Sequence, residues 1–326
     1  MSRPGLPPRA AILGIAGTEL TPEERELFRR SPPLGVILFG RNIDHPAQLR
    51  RLTASLREVL GEDAPILVDQ EGGRVARLRP PHWPAFPAAG SFGDDPEAVE
   101  RNYRALGATC RAEGFDVVCA PVLDLRQPGA HDIVGDRAFG DDPATVARLG
   151  ARAAAGLRAA GCVPVLKHMP GHGRALADSH LTLPRVAAGI EALEADFAPF
   201  RALCAADGGQ GFWGMTAHLL YAALDEQRPA TLSPRVINGV IRGEIGFRGL
   251  LLTDDLAMRA LYEDGGDPAS LAVAALDAGC DVALHCPGIP AENAAVLSAC
   301  PPVSERALEA LAASRQRLRP AVAAGA

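Results

Sequence analysis

Three segments of the chain gather side chains able to do chemistry. The first is Asp69-Gln-Glu-Gly-Gly-Arg-Val-Ala-Arg77, a carboxylate followed by two glycines and two arginines. The glycines permit a tight turn that returns the chain on itself. A carboxylate accepts hydrogen bonds from hydroxyls and arginine donates them in a fixed fork, so the pair suits a polyhydroxylated ligand. A structural Asp–Arg pair is the alternative. The second, Lys167-His168-Met-Pro-Gly-His172-Gly-Arg-Ala-Leu-Ala-Asp178-Ser-His180, holds one lysine, an aspartate and three of the eight histidines of the chain, broken by glycine and proline as a loop is. Imidazoles move protons near neutral pH. They also bind metals, but no H-E-x-x-H and no helical i, i+4 histidine pair is present, so neither metal nor cofactor is expected. The third, Leu251-Leu-Thr-Asp254-Asp255-Leu-Ala-Met258, ends an apolar run on two adjacent acids. Successive strand residues face opposite ways. One acid is expected to face a site and the other to turn aside, and the pattern does not say which.

These segments need elements to hold them. Short apolar runs at 10–17, 35–40, 65–70, 117–124, 164–169, 211–218, 249–254 and 281–286 read as eight strands. They are nearly continuous rather than alternating, as in a parallel sheet covered on both faces. Helical patterns lie between them, near 22–30, 46–60, 96–114, 143–160, 190–206, 233–245, 268–278 and 291–299, with one more from Ser304 to about Arg319. Eight βα units predict a single (β/α)8 TIM-type barrel. Asp69, Asp124, Lys167, His168, His218, Asp254, Asp255 and His285 then fall at strand ends, around one mouth. The proline-rich stretch from Pro80 to Pro87, with His82 and Trp83, is a long loop that either packs structurally or rims the pocket.

The chain has 326 residues, 48% of them hydrophobic, with net charge −6. That is one barrel's length, and residues 1–326 are expected to form one catalytic domain. No basic block offers a nucleic-acid surface, and no apolar run reaches the ~18 residues of a membrane span. Seven scattered cysteines without a C-x-x-C pair argue against disulfides or a zinc cage. Arg3 and Arg9 before the run Ala10 to Ala16 resemble a short secretion signal, but the run reads better as the first strand. The expectation is a cytoplasmic enzyme, monomer or weak dimer, acting on a small molecule without nucleic-acid or membrane partners.

Taken together, Asp69-Gln-Glu-Gly-Gly-Arg, Gly135-Asp-Arg137-Ala-Phe, Lys167-His-x-Pro-Gly-His-Gly with Asp178-Ser-His180, and Thr253-Asp254-x-Leu resemble the bacterial β-N-acetylhexosaminidases of glycoside hydrolase family three, in order and spacing from about residue 11 to 300. Met169 stands where the family more often carries an aromatic. The resemblance implies a retaining mechanism with Asp254 as nucleophile and His180, oriented by Asp178, as acid and base. It implies that Asp69, Arg77, Arg137, Lys167 and His168 bind the terminal sugar, and that the substrate is an N-acetylglucosaminide, a 1,6-anhydro-muropeptide of cell-wall recycling. Retaining glycosidases usually pair two carboxyls about 5–5.5 Å apart. A histidine donor departs from that, though its ordinary pKa near ~6.5 suits giving and taking a proton. Other readings stay open here. They are a phosphorylase of the same family, a β-glucosidase (which would need a second domain for which this chain has no room), a lyase or aldolase using Lys167 as a Schiff base, and a non-catalytic sugar binder. Arg137 and Lys167 could also be plain rim ion-pair partners.

Overall fold

The computed structural model describes residues 6–127, 129–177, 183–262 and 266–318. Eight parallel strands close into a barrel: β1 Arg9–Leu13, β2 Pro33–Leu38, β3 Ile66–Val68, β4 Val117–Val118, β5 Val163–Met169, β6 Trp213–Thr216, β7 Leu250–Asp255 and β8 Val282–His285. Each pairs with its neighbours in sequence, and β1 closes the ring by pairing with both β2 and β8. The run from Ala10 thus supplies the first barrel strand, as its sequence suggests.

The pleat sorts the strand side chains into two cores. Ala10, Ile12, Leu67, Val163, Val165, Leu250 and Leu252 fill the interior. Their neighbours Ala11, Leu13, Ile66, Val68 and Leu251 face outward and pack under the helices. Both faces are dry, which is why the runs lack polar alternation.

Helices α1 Pro22–Arg30, α2 Pro46–Leu60, α3 Pro96–Ala112, α4 Pro143–Ala159 and α5 Ile190–Asp207 lie outside the barrel. They are followed by the π-helix Arg235–Glu244 and by α6 Pro268–Ala278, α7 Pro290–Ala299 and α8 Glu305–Gln316. Six of them start on a proline, where the missing N–H costs no intrahelical bond. Asp95, Asp142 and Asp267 cap three of those six, and Thr21 and Glu24 form a reciprocal capping box on α1. Ser304 caps α8 as its sequence suggests. Ala307 and Leu311 of α8 join the interior cluster, and its Ser314 Oγ lies 3.0 Å from Nε1 of Trp213, the first residue of β6. That helix closes the N-terminal end of the barrel and leaves the C-terminal end open.

β4 is shorter than the expected 117–124. Pro121 has no N–H to give the ladder, so beyond Val118 the segment is tied to β5 irregularly: the Ala120 and Pro121 carbonyls accept the Val165 and Lys167 amides at 3.0 and 3.4 Å, and the Leu123 N–H donates to the Lys167 carbonyl, 2.8 Å away.

Candidate active site

A cavity of about 330 Å³ opens at the C-terminal end of the barrel. Two irregularities in the ladders shape it. Along β5 and β6, Leu166 pairs with Gly214 and Met169 with Thr216, so β5 carries one extra residue. Along β7 and β8, Leu252 pairs with Val282 and Asp255 with Leu284, so β7 carries one too. A bulge breaks the alternation of faces. Consequently Lys167 and His168 both line the cavity, and so do Asp254 and Asp255.

One wall comes from β3 and β5. Asp69 follows β3 directly, and Glu71 two residues on lies on the same side of the extended chain. Gly72 and Gly73 then turn the backbone at φ of +99° and +56°. A side chain at Gly72 would sit 2.2 Å from the Pro87 carbonyl, so the turn needs glycine there. Gln70 splints the return, its Oε1 accepting from the Arg77 and Leu78 amides at 2.7 and 3.0 Å. Arg77 is thereby brought back to Asp69, 3.2 Å away, with its guanidinium 5.3 Å from the Phe39 ring centroid. The Lys167 ammonium contacts Glu71 at 2.6 Å and Asp69 at 3.1 Å. Arg137, from a single 3₁₀ turn, forks onto both Glu71 oxygens at 2.8 and 2.9 Å. Burial pushes the Glu71 carboxyl up, but Arg137 and Lys167 outweigh it and hold it well below the usual carboxylate range. Burial likewise works against the Lys167 charge, and Glu71 and Asp69 reverse the effect and raise its pKa. An ammonium held between two carboxylates is poorly suited to be a Schiff-base nucleophile, which counts against the lyase and aldolase reading.

The facing wall comes from β6 and β7. The Asp254 side chain is 18% exposed to the cavity, and its Oδ1 accepts the Asp255 amide at 2.8 Å. His168 Nε2 stands 4.0 Å from its Oδ2. Burial would raise the Asp254 carboxyl, but the His168 imidazole, the Asp255 amide and Lys167 hold it below its ordinary value. Asp255 differs. Its Oδ1 accepts the Ala257 and Cys286 amides, each at 3.0 Å, and burial raises its pKa. It pins backbone while Asp254 stays ionised.

Between the walls, Asp124 is fully buried. Its Oδ2 pairs with His168 Nδ1 at 2.6 Å, and its Oδ1 accepts the amides of His168 and His172 at 3.1 and 2.6 Å. His168 is thus turned so that Nε2 faces the cavity. The His172 ring packs edge-on against it, 5.5 Å between centroids, and burial with His168 nearby lowers the His172 pKa to about 4.

The structure brings Asp69, Arg77, Arg137, Lys167, His168 and Asp254 around one cavity. Asp178 and His180 lie outside the described residues. Glu71 and Asp124 hold these groups in place; the sequence puts Asp124 at the mouth without a role and does not single out Glu71. The signal for Glu71 was its i, i+2 spacing from Asp69. Of the two readings of the proline-rich loop the structure takes the packing one for Trp83, whose indole N–H donates to Glu113 at 3.0 Å and anchors the loop to α3's end. Two expectations are corrected. His218 and His285 end strands but are buried behind the mouth, and His285 faces Glu292 at 2.9 Å. Asp254 and Asp255 do not part to opposite faces, because of the bulge. Among the described residues no cluster could hold a metal ion, and no helix is long and apolar enough to cross a membrane.

Residues 12–317 match the glycosyl hydrolase family 3 N terminal domain. The chain is 41% identical over 279 residues to a beta-hexosaminidase of Pseudomonas aeruginosa, covering 84% of this chain and 81% of that one. It is 43% identical over 284 residues to a beta-hexosaminidase of Alkalilimnicola ehrlichii, covering 84% and 80%. Among solved structures it resembles NagZ from Neisseria gonorrhoeae in complex with N-trifluoroacetyl-D-glucosamine, with TM-score 0.86, 32% identity and coverage of 97% and 91%. It also resembles a family 3 beta-N-acetylglucosaminidase from Paenibacillus, with TM-score 0.84 and 36% identity, where it spans 97% of itself but 62% of that longer chain.

Proposed function

This chain belongs to glycosyl hydrolase family 3 and is a glycoside hydrolase; from that premise we propose that it is a retaining exo-β-N-acetylglucosaminidase with Asp254 as its nucleophile. The observation that carries the reading is Asp254 itself. It is a carboxylate kept ionised and open to the cavity, facing a wall of hydrogen-bonding groups already fixed by ion pairs. The named activities of the relatives support the sugar class. The cavity lies at the small end of the ~300–1,000 Å³ range of ligand sites, which favours one terminal sugar over a bound chain.

In the proposed reaction Asp254 attacks the anomeric carbon, the glycosidic bond breaks, and His180 protonates the departing oxygen. Water, deprotonated by His180, then hydrolyses the glycosyl ester. Asp178 fixes the imidazole tautomer. Asp69, Arg77, Arg137, Lys167 and His168 hold the sugar. Lys167 has three N–H groups and two carboxylate partners, so one donor is free in number for a hydroxyl. Such contacts strengthen as oxocarbenium character develops. The motif resemblance points to muropeptides of peptidoglycan recycling in the cytoplasm. Seven buried free cysteines suit a reducing compartment. We take the working unit to be a single catalytic domain, residues 1–326, as a monomer or weak dimer needing neither metal nor cofactor.

The test is turnover of an aryl N-acetyl-β-glucosaminide beside the matching β-glucoside, with the product anomer followed by NMR. Preference for the first substrate and initial release of the β-anomer are expected. Equal turnover or an initial α-anomer overturns the reading, and sugar 1-phosphate as the main product in phosphate buffer overturns hydrolysis. For His180→Ala we expect a loss of ~10²–10⁴-fold, about 3–5 kcal/mol in the barrier, with natural leaving groups. The loss should be smaller with a phenolate, which hardly needs the proton; equal losses remove His180 from the acid role.

A further inference from the structure

Behind Asp254 stands a hydrogen-bonded chain that never meets the cavity. His218, just past β6, is fully buried. Its Nε2 is 3.0 Å from the Asp255 carbonyl oxygen, which also accepts the Met258 amide at 3.0 Å. Its Nδ1 is 2.7 Å from Thr231 Oγ1, and that hydroxyl is 2.8 Å from Thr216 Oγ1 and 3.2 Å from the Ala217 carbonyl.

The direction of these bonds follows from valence. A carbonyl only accepts, so Nε2 carries a proton. Burial disfavours the imidazolium, despite the nearby carboxylates of Asp254 and Asp255, and keeps the His218 pKa below its ordinary value. Nδ1 is then bare, and the Thr231 hydroxyl gives its one proton to Nδ1 at 2.7 Å rather than to the more distant Ala217 carbonyl at 3.2 Å, receiving in turn from Thr216. Residue 255 is therefore held at both ends. Its carbonyl takes the imidazole N–H, and its own amide N–H donates to Asp254 Oδ1.

We infer that His218, kept as the neutral Nε2–H tautomer by Thr231, is a positioning residue that fixes the Asp254 carboxylate for attack through the peptide of Asp255. The inference rests on Asp254 as nucleophile. It does not follow from packing alone, because only one tautomer makes the bond.

Two variant pairs test it. His218→Ala removes the donor, whereas His218→Gln returns an amide N–H at about the reach of Nε2. We expect His218→Ala to lower kcat by ~10–100-fold, the scale of a slightly misplaced reacting group, with KM within about threefold. His218→Gln should recover most of kcat although both variants lose the ring and its packing. Equal losses in the two, or a loss in KM alone, overturn the proposal. Should His218→Ala not fold, Thr231→Val and Thr231→Ser keep the test open. The valine variant should lower kcat and the serine variant should restore it, and a valine variant matching the parent overturns the proposal. Nitrogen-15 NMR of the imidazole gives a readout apart from activity: an Nε2–H signal is required, and Nδ1–H contradicts it. An active Asp254→Asn enzyme would instead sink the nucleophile assignment. An inactive one beside unaffected His218 and Thr231 variants sinks this inference only.

Discussion

The two walls of the cavity treat their carboxylates in opposite ways. On the β3–β5 wall, Asp69 and Glu71 face Lys167, Arg77 and Arg137 at 2.6 to 3.2 Å, and the Lys167 and Glu71 side chains are 3% and 5% exposed. On the β6–β7 wall, Asp254 takes one amide from its own neighbour and has an imidazole nitrogen 4.0 Å off. A carboxylate locked in a bidentate arginine pair has little electron density to spare and would need its pair broken before attacking. A carboxylate held by one amide stays ionised yet available. The contrast teaches that low pKa alone does not mark a nucleophile. Glu71 is held down by Arg137 and Lys167, and those same contacts suit it to orienting its partners.

The most forceful way to break this contrast is to remove each wall's carboxylate in turn. Asp254→Ala should lose turnover by on the order of 10⁴-fold or more, with little change in thermal stability. An active Asp254→Ala with a dead Asp255→Ala would mean that the wrong neighbour carries the chemistry. Glu71→Gln should do the reverse in kind. Removing one partner of a buried pair typically costs about 3–5 kcal/mol, read by denaturant unfolding, and KM should rise because Lys167 and Arg137 lose their orientation. A stable Glu71→Gln enzyme with unchanged KM would show that the wall is not preorganised.

A smaller effect tests the hinge between the walls. His172 is buried with its pKa lowered to about 4, against ~6.5 when unfolded. Between those values the unfolded chain binds the extra proton, so stability should fall as pH drops from about 6.5 towards 4 and be complete above that window. His172→Asn should flatten the stability profile there; an unchanged profile would place the acid sensitivity elsewhere. The smallest effect belongs to Trp83, which lies on neither wall. Trp83→Phe forfeits one hydrogen bond to Glu113, about 1 kcal/mol, with kinetics unaltered. A raised KM for a bulky aglycone would return Trp83 to the pocket rim.

The barrel was readable from sequence because its strands are dry on both faces and its helices announce themselves with Pro after Asp, Thr or His. Strand ends also placed Asp69, Lys167, His168 and Asp254 at the right height. Facing was not readable. The alternation rule would send one of Asp254 and Asp255 away from the site, and one extra residue on β7 keeps both there. The same device on β5 gives Lys167 and His168 together. His218 and His285 share the height of the site residues but not its opening. Nor could local pattern reveal that Arg137 seizes Glu71 across 66 residues of chain, since such pairs exist only once the barrel closes.

The claim that all of this supports is a covalent bond to Asp254. Incubating the enzyme with a fluorinated N-acetylglucosaminide that forms its ester quickly and hydrolyses slowly, followed by mass spectrometry of the intact chain and its peptides, tests it most directly. The account predicts a single added glycosyl unit on the peptide bearing Asp254, lost in Asp254→Ala. An adduct on any other residue, or rapid turnover with no adduct and an inverted product, would contradict it.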